Sequence, residues 1–140
     1  DIWFEPKITP TDAEGDAMDI CIGLTVNFAT NPEAMLTAAD RIVFQVDDGD
    51  SNIDCVTEKD GTATTTDSGV DIASGTAVTL GFHVKSTGSV EFFVNRNKVA
   101  THTANIPDDE NLALGAMELS GSATGTKSMN IDYMFAAQDR

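Results

Sequence analysis

Hydrophobic and polar residues alternate with a period of two along most of this chain. Met18, Ile20, Ile22, Leu24, Val26 and Phe28 are interleaved with Asp19, Cys21, Gly23, Thr25 and Asn27. Successive side chains of a strand point to opposite faces, so this pattern predicts one long half-buried strand over 17–28. Ile42, Phe44 and Val46 predict a second, ended by the turn-rich run Asp47-Asp48-Gly49-Asp50-Ser51-Asn52. Ile53 to Thr57 reads as its return strand, closed by the turn dipeptide Asp60-Gly61. Val78, Leu80, Phe82 and Val84 alternate cleanly with Thr79, Gly81, His83 and Lys85, giving a long strand over 76–86. Thr87-Gly88 turns the chain into Val90, Phe92 and Val94, and Asn95-Arg96-Asn97-Lys98 turns it again into Val99 to Thr103, a three-strand meander. Leu112 to Leu119 is a further strand, and Met129, Ile131, Tyr133 and Phe135 line one face of a closing one. At the front, Ile2, Phe4 and Ile8 face one way while Trp3, Glu5 and Lys7 face the other. Only Asn31 to Arg41 breaks the rhythm, with Pro32-Glu33 as a helix start and helix formers behind it, a helix of about ten residues. Thr62 to Gly75 is polar, with a short edge strand at Val70 and Ile72.

Some ten strands without a repeat or linker predict one all-β domain over residues 1–140. Long strands that bury a single face favour two packed antiparallel sheets over a small closed barrel. The chain opens inside its first strand, so residues are expected to precede Asp1.

Composition narrows the partners. The formal net charge is −15, a field that repels phosphate backbones and anionic membrane surfaces, so neither nucleic acid nor membrane is an expected partner. No apolar run approaches the ~20 residues that cross a bilayer, and no basic segment followed by an apolar one opens the chain as a signal peptide would. Cys21 and Cys55 could form one bridge at most, too few for a disulfide scaffold, and read as small buried thiols.

Trp3-Phe4-Glu5, Gly23-Leu24, Phe44-Gln45-Val46-Asp47-Asp48-Gly49, Ala77 to Val84 and, most clearly, Ser89-Val90-Glu91-Phe92-Phe93-Val94-Asn95 before Lys98-Val99-Ala100 carry a family resemblance. Together with Ile106-Pro107 and Asn130-Ile131-Asp132-Tyr133, they resemble the concanavalin A-like lectin/glucanase (laminin-G-like) jelly rolls. These are packing and turn motifs and speak to fold more than to function. Stand-alone domains of this look resemble those on tailed-bacteriophage virions. The resemblance thus implies a non-enzymatic capsid decoration or cement protein on the capsid surface, a homo-oligomer (a trimer) bound to the major capsid protein.

The alternative is a lectin-like carbohydrate-binding module. Such sites stack an exposed aromatic on a sugar face and add Asp/Asn hydrogen bonds, often ordered by calcium. Trp3 and Phe93 are the outward aromatics; a sheet or subunit contact is the first expectation for Trp3, and a glycan contact the alternative. Asp48-x-Asp50-x-Asn52 has the alternate-oxygen spacing of a calcium loop, although Ile53 and Lys59 stand where an EF-hand needs Gly and Glu. The run is expected first as an acidic, hydrated hairpin turn, with a calcium site of another kind on Asp47, Asp48, Asp50 and Asn52 as the alternative. A hydrolase of this fold needs paired carboxylates of the Glu-x-Asp-x-x-Glu kind; Glu5, Glu58, Glu91 and Glu118 each stand alone. His83 and His102 have no ligand-spaced neighbours and are expected as outward surface histidines.

Overall fold

The computed structural model describes residues 1–11, 18–26, 32–120 and 127–139. Their strands are β1 (Ile2–Thr11), β2 (Met18–Thr25), β3 (Arg41–Val46), β4 (Asn52–Lys59), β5 (Thr62–Asp71), β6 (Val78–Lys85), β7 (Ser89–Val94), β8 (Asn97–His102), β9 (Ala113–Ser120) and β10 (Ser128–Gln138). They form two five-stranded antiparallel sheets, β10-β1-β6-β7-β8 and β5-β4-β3-β2-β9. Even-numbered residues of β1, β2, β3, β6 and β7 face inward, as alternation predicts. Phe4, Phe44, Phe82 and Phe92 meet between the sheets as tilted and edge-on pairs with centroids 4.8–6.3 Å apart. Ile8, Ile20, Ile22, Ile42, Leu80 and Val90 complete this core.

The helix expected over Asn31 to Arg41 shrinks to a 3-10 turn, Pro32–Met35. Its work is to drop Met35 onto the outer face of the second sheet, where Cys21, Val43, Val56 and Met117 form a small secondary core. Arg41 locks that cap. Its Nε donates to Glu58 Oε2 at 2.7 Å, and its Nη1 donates to the Met35 carbonyl and Gln45 Oε1. A proline start commits one turn to helix, and the demand of the sheet face for a cover ends it. Cys21 lies in this outer cluster and Cys55 in the main core; both are free, and burial pushes both thiols up to about 12.

Three further expectations change. The strand expected over 17–28 runs as Met18–Thr25; Val26 follows as a bend whose N–H donates to the Asp40 carbonyl, and positions 17, 27 and 28 lie outside the described residues. The edge strand expected at Val70 and Ile72 is the ten-residue β5, whose inward row is Thr64, Thr66, Ser68 and Val70. Both histidines are buried, at 8% exposure for His83 and 3% for His102. His102 points inward and bridges the sheets: its Nδ1 lies 2.9 Å from Thr57 Oγ1 and its Nε2 lies 3.0 Å from Thr66 Oγ1. Thr57 donates its one hydroxyl proton to the Ala104 carbonyl, so His102 Nδ1–H is the donor and Nε2 accepts from Thr66.

Candidate functional site: an aromatic groove on one sheet

On the outer face of the β10-β1-β6-β7-β8 sheet, register aligns side chains in rows across the strands. Phe135 pairs with Glu5 and Gly81 pairs with Phe93. The β1–β6 register that runs from Phe4↔Phe82 to Lys7↔Thr79 places Glu5 opposite Gly81. The middle row therefore reads Phe135, Glu5, Gly81, Phe93. The row above reads Ala137, Trp3, His83, Glu91, and the row below Tyr133, Lys7, Thr79.

Gly81 is what makes this surface concave. With no side chain it leaves a floor in the middle row, and a Cβ there would meet the Phe4 carbonyl oxygen at 3.3 Å and Glu5 Cβ and Cγ just beyond. The result is a groove of about 330 Å³ walled by Trp3, Phe93 and Phe135 and edged by Glu5 and Arg96. Trp3 is 45% exposed and Phe135 54% exposed. Large apolar rings left this open on a folded surface mark a contact site.

The Trp3 wall and the Glu5 edge are held in place. The Trp3 indole stacks on the His83 imidazole with centroids 3.5 Å apart and planes 10° from parallel. His83 Nε2 in turn lies 3.1 Å from Asp1 Oδ2, while Asp1 Oδ1 accepts the Ser86 N–H. Burial holds the His83 pKa below its ordinary value, with Lys85 adding to the effect. Tyr133 donates its hydroxyl to Glu5 Oε1 at 2.7 Å, which fixes that carboxylate at the groove edge and raises the phenol pKa. Glu91 is clasped by Lys85 at 2.8 Å and Lys98 at 3.4 Å, chiefly the former lowering its pKa.

Trp3 and Phe93, singled out by alternation, are thus brought into one groove. Phe135 joins them and Tyr133 stands on the same outer face behind Glu5, contrary to the expectation that Met129, Ile131, Tyr133 and Phe135 share a face. A bulge opposite Lys7/Ile8 separates them: Lys7 pairs with Tyr133 and Ile8 with Ile131, leaving Asp132 as the extra residue, ion-paired to Lys7 at 2.7 Å. Past the bulge the parity flips, so Tyr133 and Phe135 turn outward with Trp3 while Met129 and Ile131 stay on the inner side.

Asp47, Asp48, Asp50 and Asn52 form the β3–β4 turn, in the other sheet. Their polar groups are turned to local bonds: Gln45 Nε2 donates to Asp47 Oδ1, the Asp48 N–H to Asp19 Oδ1, and the Asn52 N–H to Asp50 Oδ1. The structure does not gather them around a common point, and among the described residues no group of three or more His, Cys, Asp or Glu is placed to hold a metal ion. Neighbouring Asp54 feels them instead; burial and the charges of Asp67, Asp47 and Asp50 raise its pKa.

No protein-family model matches the sequence, and no curated protein matches it. Solved structures do match. A carbohydrate-binding module, CBM66, from Bacillus subtilis aligns over 99% of this chain and 75% of its own at 11% identity, TM-score 0.61. The Bacillus licheniformis β-glucanase aligns over 99% of this chain at 14% identity, TM-score 0.64, and the chain spans 66% of that enzyme's length. Sheep galectin-11, in complex with glycerol, aligns over 97% of this chain and 89% of its own at 12% identity, TM-score 0.59. At such identities the likeness concerns fold, and the fold is the concanavalin A-like jelly roll: an all-β antiparallel sandwich.

Proposed function

We propose that this domain is a non-enzymatic carbohydrate-binding module whose ligand lies in the groove between Trp3, Phe93 and Phe135. The observation that carries this reading is the combination at one place of exposed ring faces and oriented polar groups: Glu5 pinned by Tyr133, and Arg96 at the rim. A pyranose has an apolar face that stacks on aromatic rings and a girdle of hydroxyls that needs such donors and acceptors. Architectural kinship with carbohydrate-binding and glucan-cleaving proteins supports the reading without assigning a sugar. The test is a glycan array probed with the wild type and with Trp3→Ala: saturable retention lost in the variant is expected, and undiminished retention would remove this groove as the site. Binding is expected to persist in EDTA, because the acidic Asp47–Asn52 turn belongs to the opposite sheet; loss in chelator, restored by calcium, would contradict this assignment.

A second reading rests on a different observation. Ile131 and Met134, on the inner side of β10 at an open edge of the sandwich, are 42% and 36% exposed. Burial of that edge, with the outward Trp3 and Phe93 as further contacts, against copies of itself or a major capsid protein would give a trimeric capsid decoration protein on a virion surface. Co-sedimentation with undecorated capsids supports that reading; protein left wholly in the supernatant overturns it.

A further inference from the structure

Arg96 stands out three times over. It occupies the second position of the two-residue turn between Val94 and Asn97, with φ of 67°, next to Asn95 at 50°. This type I′ geometry strongly prefers glycine there, because a Cβ is strained in the left-handed region. The turn is not free to relax, since the Asn95 N–H donates to the Thr79 carbonyl at 2.7 Å and Asn95 Oδ1 accepts the Thr79 N–H at 3.0 Å. An arginine therefore sits, under strain, at a rigid point of the groove rim.

Its charge is also unspent. Lys7, Arg41, Lys59, Lys85 and Lys98 each hold an Asp or Glu, whereas Arg96 makes no ion pair among the described residues. In a chain of net charge −15, a cation without a carboxylate is conspicuous. The surroundings sharpen the contrast. Lys7, Lys85, Arg96 and Lys98, half of the eight Lys and Arg in the chain, stand on this one face against Glu5, Glu91, Asp132 and the Asp1 that meets His83. The face is close to neutral while the remainder of the molecule carries the negative charge. At physiological salt the screening length of about 8 Å keeps much of that distant charge from the groove.

We propose that the groove selects sugars bearing a carboxylate, with the Arg96 guanidinium as the carboxylate contact and the ring stacked among Trp3, Phe93 and Phe135. A guanidinium offers two parallel N–H donors that match a carboxylate, and its delocalised charge is less costly to desolvate than an ammonium. This rests on the carbohydrate-binding reading above and adds to it the class of sugar.

Calorimetric titration at about 150 mM salt with hexamers of galacturonate and of mannuronate, their methyl esters and a sulfated, carboxylate-free hexasaccharide separates the two. The wild type is expected to bind one acid form at least tenfold more tightly than its ester or the sulfated sugar. Arg96→Gly, which suits the turn and should melt no lower than the wild type, is expected to erase that preference, so that acid and ester bind with the same affinity. Equal affinity for acid and ester, tighter binding of the sulfated sugar, or a preference that survives in Arg96→Gly overturns the carboxylate assignment, yet leaves the groove reading standing if Trp3→Ala still abolishes binding. Failure of the wild type to bind any of these sugars overturns the carboxylate assignment, while the glycan array with Trp3→Ala decides the groove reading separately.

Discussion

Trp3 lies flat on His83, and the two rings divide the work: one is spent on cover, the other is left open to a partner. Behind them Gly81 supplies room. Gly81→Ala places a methyl 3.3 Å from the Phe4 carbonyl oxygen, a fit tight by only a few tenths of an ångström. It is expected to keep the fold by circular dichroism and to weaken saccharide binding about tenfold or more, the scale of a ~1–3 kcal/mol contact loss; unchanged affinity would mean the floor is not used. His102 makes a prediction about pH. Burial lowers its pKa, so the fold keeps the ring neutral between Thr57 and Thr66 while the unfolded chain takes up the proton more readily. Stability is therefore complete above the unfolded value of about 6.5 and declines as pH falls below it. Thermal melts between about pH 7.5 and 5.5 should show a wild-type midpoint that falls faster than that of His102→Gln, and parallel curves would contradict this. Trp3 and Phe93 were legible as outward aromatics from alternation alone. Burial of the histidines was not, because one is covered by a ring on a neighbouring strand and the other is accepted into the core by threonine hydroxyls.

Among the elements, strands whose inner row is apolar were readable nearly to the residue: β6 and β7 show each side chain where parity puts it. β5 is expected shorter from sequence because most of its inward row is threonine and serine, and Thr66 and Thr64 pair with His102 and Asn105 on the facing strand and loop in place of apolar contact. The bulge at Asp132 was invisible, since an inserted residue reverses parity without changing composition, and with it went the groove wall Phe135 and the Tyr133 that holds Glu5. Gly23 shows the opposite case, a residue whose role only packing explains. A Cβ there would lie 2.2 Å from the Ile42 carbonyl oxygen and 2.8 Å from Val43 Cα, both backbone atoms of β3. Gly23→Ala is expected to separate β2 from β3 and lower stability by about 3 kcal/mol, the upper range for overpacking. A denaturant midpoint within error of the wild type would show that the strands yield.

On the scale of the whole molecule, charge is segregated: the groove face is nearly balanced and the rest is strongly acidic. Self-repulsion destabilises such a compact state and is relieved by salt. The melting temperature should rise between about 10 and 150 mM sodium chloride as the screening length falls from about 30 to 8 Å; a flat or falling curve would mean that surface ion pairs outweigh the repulsion. The sandwich itself was legible because so many strands declare one buried face, whereas function was not, since the turn and packing motifs that resemble other jelly rolls carry no chemistry. The central claim is that a saccharide lies against Trp3, and Trp3 is the one tryptophan of the chain. Its fluorescence during a titration with the tightest-binding oligosaccharide is accordingly the most direct measurement. A saturable blue shift, with a midpoint equal to the calorimetric one, is the predicted result. Calorimetric saturation with the emission unmoved would place the ligand elsewhere and contradict the account.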